Sequence, residues 1–138
     1  MLDETQALAL LKRYGMDAQR IAHSRGVAGF AVDLARRIKQ AHPRAPVDPH
    51  KVYIAALLHD IGRARPGDHQ PNSVRILREE GHDDLAAIVM HGACYERRQL
   101  RGEDRPELLP NSLENKIVAY ADTRFRLEPV TLEERIAD

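Results

Sequence analysis

The chain reads as an all-α protein, a compact bundle of five to seven helices. Three observations predict this. Apolar residues recur at mixed three- and four-residue steps in several segments, and no stretch shows period-two alternation bounded by hairpin turns. The apolar material is mainly Leu, Ile, Val and Ala, with aromatic residues at 4% and no Trp, which suits helix packing.

Residues 3 to 14 form the first predicted helix, with Leu8, Leu10 and Leu11 apolar and Gly15 where a C-terminal stop belongs. Asp17 is placed to cap the next, over about 18 to 41. There Ile21, Val27, Phe30, Ala31, Leu34 and Ile38 build one face, and Arg36, Arg37, Lys39 and Gln40 fall between them. His42-Pro43 through Pro46 breaks the pattern. Asp48-Pro49 then supplies an N-cap and a first-turn proline for a helix of about 49 to 60. Gly62 through Gly67, with Pro66 between, reads as a loop. A helix from about 69 or 71 to 80 follows, with Val74, Ile76 and Leu77 apolar and Gly81 as its stop. Another spans about 83 to 92, with Asp83 and Asp84 near its positive end. Residues 93 to 111 are polar and aperiodic, which marks a rim, a lid or a mobile connection. A helix is predicted at about 112 to 125, and Thr131 with Glu134 offers a capping box for a short final one.

At 138 residues the chain fits one domain, 1–138, able to bury about two-thirds of its unfolded surface without disulfides. Lys plus Arg equals Asp plus Glu at 21 each, so nothing suggests a broad electrostatic footprint for a nucleic-acid polymer or an anionic membrane. Cys94 is a single cysteine, the start has neither a basic n-region nor an apolar h-region, and no run approaches the roughly 20 apolar residues of a membrane span. A reducing cytoplasm is the expected compartment. There is no Gly-rich phosphate loop with Lys-Ser/Thr, no GxGxxG after a strand and no CxxC pair, which removes kinase, dehydrogenase and zinc-ribbon readings. Cys94 near His91 offers a thiol and a base, but no orienting third group.

The most informative stretch is Ala55-Ala56-Leu57-Leu58-His59-Asp60-Ile61-Gly62, an apolar run ending in adjacent His and Asp. A buried carboxylate and a buried imidazole each need hydrogen bonds, counter-charges or a metal, and one cation satisfies both. His23 stands upstream in Ile21-Ala22-His23-Ser24-Arg25, and Asp122 downstream after Ile117-Val118-Ala119-Tyr120-Ala121, each in an apolar helical context.

In the order His23, His59-Asp60, Asp122, with the string LLHDIG, the chain resembles the HD-domain superfamily of metal-dependent phosphohydrolases over a core of about 20–125. The resemblance implies that His23, His59, Asp60 and Asp122 hold a divalent ion. Two imidazoles and two carboxylates suit Mn, Fe, Co, Ni or Zn better than a site reserved for Mg. His69 and His91 fall in register with the extra histidines of HD-GYP-type and other binuclear relatives, which implies one or two ions. The chain departs from those relatives in a shorter loop before His69, in Asn72-Ser73 where they favour Gly-Ala, and in lacking a GYP motif, which argues against cyclic di-GMP as substrate. Arg63 stands where many relatives have Lys; a guanidinium can grip phosphate oxygens bidentately. Arg124 and the rim residues Arg97, Arg98 and Arg101 are further basic candidates. The activity implied is hydrolysis of a nucleotide or related small phosphate ester, with Asp60 also orienting the attacking water or accepting its proton. A di-iron oxygenase of the same family and a non-catalytic nucleotide sensor are the alternatives.

Overall fold

The computed structural model describes residues 2–89 and 112–125. Among them the chain forms six α-helices and one short 3-10 helix: α1 Glu4–Arg13, α2 Ala18–Ala41, α3 Pro49–Leu58, the 3-10 helix Ile61–Ala64, α4 His69–Glu79, α5 Asp83–Val89 and α6 Leu113–Arg124. Among the described residues there is no strand ladder, in line with the all-α expectation. No described helix is long and apolar enough to cross a membrane. The polar stretch 93–111, with Cys94 and the three rim arginines, and the Thr131–Glu134 box lie outside the described residues.

The helix starts follow from side-chain acceptors that satisfy orphan amides. Asp3 accepts from Gln6 N and closes a capping box, Asp17 accepts from Arg20 N, Asp48 from His50 N and Lys51 N, and Ser112 from Asn115 N. α1 therefore begins one residue after the predicted start, because Asp3 is its cap. Gly15 and Gly81 end α1 and α4 with φ of 81° and 84°, a left-handed backbone that favours glycine.

Helix α3 is the central element. Val52, Ile54, Ala55, Ala56, Leu57 and Leu58 are fully buried, so the helix is apolar on nearly every side, as suits a helix surrounded by others. Helix α2 packs on it most extensively, and α1, α5 and α6 cover its other faces. The small buried residues Ala28, Ala31 and Ala35 on α2 allow close approach to a helix that presents Ala55 and Ala56. Asn115 of α6 is buried and donates to the carbonyls of Ala87 and Ile88 on α5, which ties the two helices together.

Two further predicted boundaries change. The third helix, predicted to reach residue 60, ends at Leu58, and residues 61–64, predicted as loop, are the 3-10 helix. Gly62 is consequently not a left-handed stop, since it is absent from the positive-φ glycines. It is required by proximity: a methyl there would overlap the His69 carbonyl and press on the amide and hydroxyl of Ser73.

Candidate metal centre

The site forms where α3 stops. His59 is its C-cap, with φ −61° and ψ −28°, and Asp60 follows at φ −101° and ψ 9°. Side chains of adjacent helical residues diverge by about 100°, and leaving the helix between them is what lets both face one point. His59 is fully buried and Asp60 is 3% exposed. The Nδ1–H of His59 donates to the Ala56 carbonyl at 2.6 Å, which fixes the ring and turns Nε2 inward.

Three other elements complete the cluster. Asp122 of α6 brings Oδ1 to 3.1 Å from His59 Nε2 and 3.7 Å from His23 Nε2. His23, in the second turn of α2, lies 3.8 Å from Asp60 Oδ2, and His59 Nε2 is 3.5 Å from the same oxygen. One donor atom from each of His23, His59 and Asp122 falls within 4.8 Å of the others, a grouping that could hold a metal ion. Asp60 joins it through its contacts to both imidazoles. The other Asp60 oxygen, Oδ1, faces His69 Nε2 at 3.6 Å from the first residue of α4. The carboxylate thus stands between two histidine sets. His91, the expected companion of His69, lies outside the described residues.

The electrostatics express crowding by unlike charges. Burial pushes the His59 imidazolium down, but Asp60 and Asp122, together with the Asp122 and Ala56 hydrogen bonds, outweigh it and raise the pKa from 6.5 to about 9. Burial also favours protonation of Asp60. His59 and Arg63 overcome this and hold the carboxyl below its usual range, with His69 assisting and Asp122 opposing. Burial, then Arg63, depresses His69. In the absence of a metal ion, a proton on His59 Nε2 supplies positive charge between the carboxylates.

Arg63 approaches Asp60 from the 3-10 turn, Nε to Oδ2 at 3.4 Å, with its side chain about one-third exposed. The expected anion-gripping arginine is therefore at the site, with part of its donor set directed to the carboxylate. Arg124 lies instead over Tyr120, donating to its hydroxyl at 2.8 Å.

Behind the site lies a hydrogen-bond knot that periodicity and capping do not reveal. The Ser73 hydroxyl accepts from Gly62 N at 2.8 Å and faces the carbonyls of His59 at 2.9 Å and His69 at 3.0 Å. Asn72 Nδ2 reaches the carbonyls of Gly62, Arg65 and Pro66. The Asn72-Ser73 pair, which in the sequence is only a departure from Gly-Ala, fastens the His59–Arg63 turn to α4. The departure itself is the available signal: two polar residues at positions where small ones pack imply backbone partners.

The HD domain family matches residues 20–127, and the chain belongs to that family. Among curated proteins, a tRNA (cytidine(56)-2'-O)-methyltransferase of Picrophilus torridus is 30% identical over 99% of this chain, which spans only 40% of that protein. An uncharacterized protein of Methanocaldococcus jannaschii is 35% identical over 85% of this chain and 72% of its own length. No solved structure matches the chain.

Proposed function

We propose that this protein is a metal-dependent phosphohydrolase acting on a nucleotide or related small phosphate ester. His23, His59, Asp60 and Asp122 hold a divalent transition ion, and His69 with His91 provides a second site. The observation that carries this reading is the approach of His23, His59 and Asp122, from three separate elements, around a buried Asp60. The donor set also fits: His59 is held by Ala56 in the tautomer that offers Nε2 to an ion, and two carboxylates balance a divalent charge. When bound, the ion supplies Lewis acidity toward a phosphoryl oxygen and lowers the pKa of the attacking water.

The chain's own groups do the rest. Arg63 holds a phosphate oxygen beside Asp60. Asp60, kept ionised by His59 and Arg63, orients the water or accepts its proton. Its Oδ1, 3.6 Å from His69 Nε2, would serve with that histidine as a donor to a second ion.

Protein purified without chelator should carry a transition metal by elemental analysis and release phosphate from members of a phosphorylated-metabolite panel. Asp60→Asn should lose both occupancy and turnover while remaining folded. Wild-type occupancy in that variant sinks the ligand assignment. Binding without turnover across the panel favours a sensor, and oxygen consumption by iron-loaded protein favours an oxygenase.

A further inference from the structure

Two of the site histidines, His59 and His23, are held by different means. His59 has its Nδ1 anchored to a carbonyl, the usual arrangement for a metal-ligating imidazole. His23 Nε2 faces both carboxylates, yet among the described residues no hydrogen bond reaches its other ring nitrogen. What fixes the His23 ring is packing. It meets His59 on one side, with ring centroids 5.8 Å apart at 49°, and Phe125 on another, 6.1 Å apart at 47°.

Phe125 is placed by two features of its own. It caps α6 three residues after Asp122, where the backbone turns extended, φ −116° and ψ 132°, with its amide still donating to the Ala121 carbonyl at 3.0 Å. Its ring tip rests on Gly26, where a methyl would overlap Cζ and Cε1. Gly26 lies three residues after His23 and so shares its face of α2. A glycine inside a helix costs stability relative to alanine, which calls for a packing reason. A methyl at Gly29, on the same helix, would meet nothing within 4 Å, so that position serves as an internal control.

We infer that Phe125 is the positioning residue of His23: seated on Gly26, its ring holds the imidazole toward Asp60 and Asp122 in place of a hydrogen bond. The geometry stands independently, while its consequence for metal binding rests on the function proposed above.

The test uses Gly26→Ala, Gly29→Ala, Phe125→Ala, Phe125→Leu and the double variant Gly26→Ala/Phe125→Leu. Three quantities are read: the His23 ring proton resonances of metal-free protein, the melting temperature, and the Zn(II) dissociation constant by chelator competition. Gly29→Ala should melt at or above wild type with the other two unchanged. Gly26→Ala and Phe125→Ala should shift the His23 resonances and weaken Zn(II) by about tenfold, the low end for loss of a ligand's supporting contact. The double variant, whose shorter Leu makes room for the methyl but leaves no ring beside His23, should bind Zn(II) no better than Phe125→Leu. Should Phe125→Ala not fold, Phe125→Leu gives the resonance shift instead. Unmoved His23 resonances in metal-free Gly26→Ala and Phe125→Leu overturn the inference. If the resonances move but wild type takes up no metal, the positioning role holds and the metal reading fails.

Discussion

At the scale of single residues, the site depends on contacts too close for substitution. Gly62 packs so near the His69 carbonyl and Ser73 that a methyl must push α4 away from the turn bearing His59 and Asp60. Ser73 holds the same junction with one hydroxyl shared among Gly62, His59 and His69. Ser73→Ala leaves the buried Gly62 amide without its partner, so a loss of about 1–3 kcal/mol in denaturant unfolding is expected. Gly62→Ala adds overpacking, also about 1–3 kcal/mol, and should weaken metal binding because it displaces the turn itself. Equal unfolding midpoints for Gly62→Ala and wild type would show that the junction yields to a methyl without strain. These contacts are hidden in the sequence. Gly62 reads as a helix stop because glycine after an apolar run commonly is one, and its actual reason is tertiary, a neighbour eleven residues away. By contrast, His59 and Asp60 are legible because a carboxylate and an imidazole ending a fully apolar segment need a partner wherever the chain folds.

At the scale of elements, α3 and its caps set where the site opens. Asp48 accepts from His50 N and Lys51 N at the start of α3, while its own amide donates to Glu114 Oε2 at 2.8 Å on α6. The cap therefore links the helix that ends in His59 to the helix that carries Asp122. Asp48→Ala should cost about 0.5–2 kcal/mol, the usual range for an N-cap, with chemical denaturation as the measurement. The backbone amide contact to Glu114 survives that change, so the Zn(II) dissociation constant should stay near wild type. A large loss of affinity would mean that the cap also sets the α3–α6 distance. Helix positions are readable because these caps are short-range signals: Asp17, Asp48 and Ser112 each satisfy amides within three residues. The stop at Leu58 is not, because nothing local in Leu58-His59-Asp60-Ile61 distinguishes an α-helical from a 3-10 turn. Arg63, three residues on, reaches Asp60 across that 3-10 turn.

At the scale of the whole molecule, the site couples folding to protons and metal. The pKa of His59 rises from 6.5 to about 9 on folding because the carboxylates of Asp60 and Asp122 outweigh its burial. A group whose pKa is raised in the native state stabilises it fully below the unfolded value, and that contribution disappears as pH climbs through the folded one. Metal-free protein should therefore lose melting temperature between pH 6.5 and about 9. The depressed His69 acts in the opposite sense and below that window, since its neutral form is favoured by folding and stability is lost as pH falls beneath its unfolded pKa. Stoichiometric Zn(II) should flatten or reverse the alkaline loss, because a ligand nitrogen must shed its proton and metal binding grows stronger as pH rises. Mass action sets the size: metal at about 100 times its dissociation constant adds about 2.7 kcal/mol. Asp122→Asn removes one of the charges that raise His59, so its metal-free melting curve should be flatter over the same range. Thermal melts at intervals from about pH 6 to about 9, with and without Zn(II), check all three expectations. A metal-free wild type whose melting temperature holds level or climbs across that range would mean that His59 is neutral in the folded protein and that the carboxylates are balanced by something other than its proton.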